Sequence, residues 1–258
     1  MTIWQACNGP QHIGPLHGLL SRLVESQEQI ATMGYVDTLE EQAVLEALLE
    51  GVKPPYPKHC DGYHYLLKTP FRYPPLKWGS RFGRIHEPGI FYGGCSTDTT
   101  LAESAYYRFV FWNSMSAKPI KPAIHSQHTL FSVGYRTAKG IRLHNAPFDD
   151  HHSELTHPCS YHATQEVGTA MREAGVEAFE YSSARDTRQG RCVALFTPLA
   201  LAQKTPRLIT QWLCETRAQE VVFKQAGAST TITYGIGQFQ VNGGLAAPAT
   251  RTPAPSSH

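Results

Sequence analysis

Thr69-Pro-Phe-Arg-Tyr-Pro-Pro-Leu-Lys-Trp-Gly-Ser-Arg-Phe-Gly-Arg84, continued by Gly89-Ile-Phe-Tyr-Gly-Gly94 and Thr99-Thr-Leu-Ala-Glu103, is the stretch on which the fold turns. It begins as Pro- and Gly-rich irregular chain. It then enters a short strand at Ile90-Phe91-Tyr92 that runs into Gly93-Gly94, and becomes helical. Thr97 or Asp98 can cap a helix from about Thr99 to Trp112, with Leu101, Ala105, Phe109 and Trp112 on one side.

Downstream, His128 to Tyr135 and Ile141 to His144 read as strands separated by Lys139-Gly140. A helix from about Ala163 to Ala174 places Val167, Ala170, Met171 and Ala174 on one face and stops at Gly175. Val176 to Tyr181 and Cys192 to Thr197 follow as strands, and Leu208 to Glu215, Glu220 to Lys224 and Thr230 to Ile236 have strand composition. The resulting β-α-β-β-α-β-β order predicts an α+β fold with mixed sheets rather than a regular parallel repeat. Upstream, two accessory helices are expected. The first runs from Leu16 on Leu19, Leu20, Leu23, Val24 and Ile30; the second is capped by Thr38 and Glu41 and ends at Gly51 before Pro54-Pro55. The expected organisation is an accessory segment over 1–60, a main domain over 61–240 and a disordered tail over 241–258, whose Ala-, Pro-, Thr- and Ser-rich end from Ala246 can bury little.

Composition narrows the function classes. The 258 residues are 41% hydrophobic and 17% charged, as in a folded globular chain. A net charge of +2 gives no field to hold nucleic acid or an anionic membrane. No apolar run approaches the roughly 20 residues of a spanning helix. Met1 to Gly9 has neither the basic nor the apolar region of a signal peptide, so a cytoplasmic location is expected. Cys7, Cys60, Cys95, Cys159, Cys192 and Cys214 stand singly, which predicts free thiols rather than bridges or a zinc ribbon. His144, His151, His152, His157 and His162 crowd together with Asp149 and Asp150. They lack helical ligand spacing, and Pro147 and Pro158 favour a polar loop over a metal site.

Phosphate-loop, dinucleotide, zincin and nucleophile-elbow motifs are all missing. Arg72, Arg81 and Arg84 lie in irregular chain with few acids, while Glu103 sits among the apolar residues of a helix. Guanidinium groups suit phosphate, and a lone carboxylate suits a developing positive charge. That combination fits an anionic substrate reacting through a cation, but read alone the residues favour a structural Arg–Glu network.

Taken together, Arg72-Tyr73, Arg81-Phe82, Phe91-Tyr92-Gly93 and Thr100-Leu-Ala-Glu103 resemble the RES domain, with Arg81, Tyr92 and Glu103 at equal spacing. Gln165-Glu-Val-Gly168, Gly175 to Tyr181, Ser182-Ser-Ala-Arg185, Gly190 and Val193-Ala-Leu-Phe196 resemble that family's closing half, so the likeness spans about Tyr63 to Pro198. The resemblance implies a fold similar to ADP-ribosyltransferase toxins of the diphtheria type. It implies a toxin of a bacterial toxin–antitoxin pair, with an Xre-like antitoxin as hetero-oligomeric partner and no direct contact with nucleic acid or membrane. The implied activity is degradation of NAD by hydrolysis or phosphorolysis, with ADP-ribosylation of a protein target as the alternative. NAD is then substrate and phosphate a potential co-substrate, with no cofactor or metal. Carried over residue by residue, Arg72, Tyr73, Arg81, Tyr92, Glu103 and Ser183 fall on functional positions. Ser182-Ser183 stands where many members have Pro-Ser, and Ser183, directly before Ala184-Arg185, fits the site position. Under this resemblance Glu103 stabilises the oxocarbenium-like ribose, Arg72 and Arg81 hold pyrophosphate with Arg84 a weaker candidate, Tyr92 and Tyr73 contact nicotinamide or ribose, and Ser183 hydrogen-bonds the substrate or Glu103.

Overall fold

Leu16 and Leu20, four residues apart, satisfy a helical period and a strand period equally, and the structure chooses the strand. The computed structural model describes residues 1–26, 35–117 and 119–248. In it, Gly14–Glu25 is strand β1, not the expected first helix, and Ile30 lies outside the described residues. The alternation is hidden because two inward positions carry Gly18, over which the Tyr135 hydroxyl lies, and Arg22.

The elements follow in chain order. Helix α1 is Ile3–Ala6, capped reciprocally by Thr2 and Gln5, and precedes β1. Then come α2 (Leu39–Gly51), α3 (Tyr65–Arg72), β2 (Phe91–Gly94), α4 (Thr97–Ser114), β3 (Ile124–Arg142), α5 (His152–Leu155), α6 (His162–Glu173), β4 (Ala178–Ser182), β5 (Arg191–Leu195), β6 (Leu208–Thr216), β7 (Glu220–Gln225), β8 (Ile232–Gly235), β9 (Gln240–Val241) and β10 (Gly244–Leu245). The α+β expectation holds: six helices among the described residues surround a mixed eight-stranded sheet in the order β1-β2-β5-β4-β3-β6-β7-β8.

Strand β1 also pairs antiparallel with β3 from Gly14↔Gly140 to Glu25↔His128, so β1, β2, β5, β4 and β3 form a closed ring. Only β3–β4 is parallel. Lys139-Gly140, expected to separate two strands, stays extended inside the 19-residue β3. Glycine is needed there because the Leu16 side chain packs onto its α-carbon.

The second accessory helix is present as α2, with Thr38 Oγ accepting from Glu41 N at 3.1 Å. Helix α3 was not expected. It forms despite Pro70 in its last turn, with His64 capping its start. The cap of α4 is Ser96 rather than Thr97 or Asp98, and its face of Leu101, Ala105, Tyr106 and Phe109 packs on β6 and β7 through Trp212, Cys214, Val221 and Phe223. Each large buried side chain of this kind contributes about 1.5–3 kcal/mol. The start of the expected tail is docked, not loose: Ala246 is buried and its carbonyl accepts the Tyr106 hydroxyl at 2.7 Å; residues from 249 onward lie outside the described residues. No described helix is long and apolar enough to cross a membrane, and all six cysteines are unpaired.

Helix α6 fixes the loop that precedes β2. Gln165 Nε2 donates to the carbonyls of Trp78, Ser80 and Gly83, and Gly168 lies so close to the Phe82 carbonyl that a Cβ would collide with backbone. Gly168→Ala is therefore expected to destabilise by about 2 kcal/mol through overpacking, lowering the melting temperature by roughly 5 °C. An unchanged melting temperature by calorimetry would contradict the close approach.

Candidate functional site

Glu103 projects from the second turn of α4, whose direction is set by the Ser96 cap accepting from Thr99 N at 3.2 Å. Its Oε1 accepts a hydrogen bond from Ser183 Oγ at 2.5 Å, and the Cys192 thiol lies 3.9 Å away. Burial, with Glu103 beside it, raises the Cys192 pKa well above its usual value, so the thiol keeps its proton. Ser183 is buried in the turn after β4, where its oxygen accepts from the backbone N–H of Arg185 at 3.1 Å and Asp186 at 2.9 Å. Those two donors leave the hydroxyl proton for Glu103. Of the serine pair, Ser183 is thus the one that meets the carboxylate. Among the described residues Glu103 makes no direct ion pair, although its charge is one of the influences that favour the charged form of the buried Arg185.

Glu103 faces a cavity of about 600 Å3 that Tyr73, Arg81 and Tyr92 also line. Arg81 is buried, with its guanidinium 4.7 Å from the Tyr161 ring centre and Nη1 donating to the carbonyls of His157 (3.0 Å) and Leu155 (3.5 Å). No described carboxylate pairs with it. The Tyr92 hydroxyl accepts from Phe82 N at 3.1 Å and meets Ser80 Oγ at 2.9 Å, and burial pushes its pKa up to about 12. This hydroxyl therefore ties the 80–82 loop to β2 while the ring forms part of the wall. Tyr73 is 40% exposed at the rim.

Two arginines lie elsewhere. Arg72 is buried on the side of α3 that faces the α2 connection, paired with Glu50 at 2.5 Å, bonded to the Pro54 carbonyl and 4.2 Å from the Tyr56 ring centre. It does not line the cavity. Arg84 borders a separate shallow depression with Thr2 and Glu166.

The histidine-rich stretch has a different use. Phe148 and Leu155 bury a short helical segment, and the backbone that follows cradles arginines: His157 O and Leu155 O take Arg81, and Pro158 O takes Arg185 at 2.8 Å. Arg185 is buried with its guanidinium 3.5 Å from the Tyr106 ring centre. Among the described residues, no group of three His, Cys, Asp or Glu side chains is placed to hold a metal ion.

Sequence reasoning misses Arg22, Arg108, His128 and Cys192, all of which line the cavity. The first three come from a segment that reads as helix or from the long β3 and the far end of α4, and carry no local motif. Cys192 reads in sequence as a free thiol of a strand; its position opposite Tyr181 emerges from the β4–β5 register.

A family model for the RES domain matches residues 56–217, more than half of the chain. That span includes Arg72, Tyr73, Arg81, Tyr92, Glu103 and Ser183 and leaves out β1 and α2. No curated protein matches the chain.

His128 supplies a pH test of this wall. Burial, and secondarily Arg108, lowers its pKa to about 4, while its Nε2 meets Ser126 Oγ at 2.9 Å. The unfolded chain then binds the extra proton between pH 6.5 and 4, so folding stability falls as pH drops through that window. The loss attributable to His128 is about 3 kcal/mol. His128→Gln should flatten that arm of a denaturation-versus-pH series; an unchanged slope would contradict a buried neutral imidazole.

Proposed function

The chain belongs to the RES domain family, and we propose that it is the toxin of a toxin–antitoxin pair that degrades NAD by cleaving the nicotinamide–ribose bond, with water or phosphate as acceptor. Membership implies an RES family toxin, an enzyme acting on NAD and a toxin–antitoxin context. The observation that carries the reading further is the Glu103 carboxylate, oriented by Ser183 and free of a direct ion pair among the described residues, in the lining of a cavity that Arg81, also without a carboxylate partner among them, shares. The cavity volume lies within the usual range for small-molecule sites, about 300–1,000 Å3.

The chemistry asks little of the protein. Nicotinamide in NAD carries a positive ring nitrogen. When the C1′–N bond breaks, its electron pair passes to that nitrogen, which leaves neutral and needs no general acid. The paired carboxylates of ordinary glycoside hydrolysis reduce to one. Glu103 faces the ribose, and its charge stabilises the oxocarbenium-like centre as it forms. Ser183 holds Oε1 in a fixed orientation, so little reorganisation is needed at the moment of reaction. A water or phosphate oxygen then bonds to C1′, and the released proton goes to solvent or to the carboxylate. Arg81 supplies a planar donor fork suited to the pyrophosphate, and Tyr92 and Tyr73 give aromatic wall against the nicotinamide end. Arg72 belongs to this machinery only if its pairing with Glu50 opens. In the cell we place the protein in the cytoplasm, with an Xre-like antitoxin covering the cleft.

The test is to incubate the protein with NAD, with and without phosphate, and separate the products. Nicotinamide release is expected, with ADP-ribose or its 1-phosphate as second product. Glu103→Gln should lower kcat by about a hundred- to thousand-fold. Ser183→Ala, which frees the carboxylate without removing it, should lower kcat by roughly ten- to a hundred-fold and leave KM within about twofold. Nicotinamide release that requires an added protein target would favour the ADP-ribosyltransferase alternative. No release from folded protein would contradict NAD cleavage.

A further inference from the structure

Among the cavity arginines, Arg22 alone has a nitrogen that is both closed to solvent and without a hydrogen-bond partner among the described residues. It projects from β1, where register places it opposite Phe131 and beside Gly94. Its Nη1 donates to the Tyr92 carbonyl at 2.6 Å, and the guanidinium carbon stands 5.2 Å from the Phe91 ring centre. Its Nε is closed to solvent and has no hydrogen-bond partner among the described residues. No described carboxylate forms an ion pair with it. Its neighbours differ: Arg108 is taken by Glu25 at 3.1 Å and Thr216 at 3.1 Å, and Arg81 by two carbonyls.

A buried donor without an acceptor, on a cation without a counter-ion, is costly to retain. Desolvation lowers the Arg22 pKa to about 10, which still leaves it charged at neutral pH. With Nη1 engaged by Tyr92 and Nε closed off, Nη2 is the nitrogen left to meet a phosphate oxygen, and the guanidinium charge favours that anion. The Tyr92 bond also sets its direction, because Tyr92 is itself clamped through Ser80 and Phe82.

We infer that Arg22 is the phosphate-oxyanion receptor of the cavity, contributed by a strand outside the residues the RES domain model matches. Either a dinucleotide pyrophosphate or free phosphate carries the required oxygens. The pyrophosphate assignment rests on the NAD reading; the anion site does not.

The experiment is titration calorimetry of the intact chain with ADP-ribose, inorganic phosphate and nicotinamide, for wild type, Arg22→Met and Arg22→Lys. Arg22→Met is expected to weaken ADP-ribose at least tenfold and leave nicotinamide, which has no phosphate, within twofold; Arg22→Lys recovers part of the loss. A loss confined to inorganic phosphate would also support the receptor and identify its ligand as the free ion. Arg22→Gln, which keeps a donor for the Tyr92 carbonyl, replaces the Met variant if that one melts early. Folded Met or Gln variants that bind both anions as wild type does would overturn the inference. If wild type fails to cleave NAD yet binds phosphate through Arg22, the receptor stands and the NAD reading falls. Cleavage with anion binding indifferent to Arg22 leaves the NAD reading in place and removes the receptor.

Discussion

Pairing of β1 with β3 is the constraint on which the rest depends. A 12-residue strand from the chain's N-terminal region lies against β3 along its whole length and touches β2 through Ser21 and Gly94, closing a five-strand ring. Closure removes the free edges that β2 and β3 would otherwise expose. It also holds the end of β2 at Gly94, and hence the direction of α4, whose Thr100 hydroxyl donates to the Ser21 carbonyl at 3.2 Å. Glu103 stands one turn further along, so the position of the carboxylate is tied to a strand about eighty residues earlier in sequence.

The second organising device is the backbone carbonyls of the 155–158 segment. Arg81 and Arg185 are buried by donating to these carbonyls and lying against Tyr161 and Tyr106, not by pairing with acids. Satisfying a guanidinium with carbonyls and an aromatic face leaves its charge uncompensated, which suits an anionic ligand. Glu103 shows the converse: a hydroxyl and a thiol meet its carboxylate, and no cation forms a direct ion pair with it among the described residues. Charges of opposite sign thus line one cavity without the direct ion pair that would quench both.

Much of this is legible in the sequence. Helix α2 announces itself through its cap, α4 and α6 through their period, and β4 to β8 through β-branched composition, because those features are local. The RES motifs locate Glu103, Arg81, Tyr92 and Ser183, all of which the structure brings to one place. Strand β1 is not legible: Leu16, Leu20 and Val24 repeat every four residues, and Gly18 and Arg22 interrupt the alternation for reasons that lie in Tyr135 and the cavity. Arg72 is misplaced by sequence reasoning for a related reason. Its partners Glu50, Pro54 and Tyr56 arrive from the α2 connection, and nothing near Arg72 in sequence reveals them. Gly140 likewise reads as a turn because its purpose, room for Leu16, is a contact across strands.

The assignment of carboxylate and guanidinium roles in this cavity is tested most directly by a crystal structure of the Glu103→Gln protein soaked with NAD. The nicotinamide ribose is expected within hydrogen-bond distance of residue 103, with the pyrophosphate between Arg22 and Arg81. NAD bound with its ribose remote from residue 103, or held by Arg72 with Arg22 and Arg81 untouched, would contradict that arrangement.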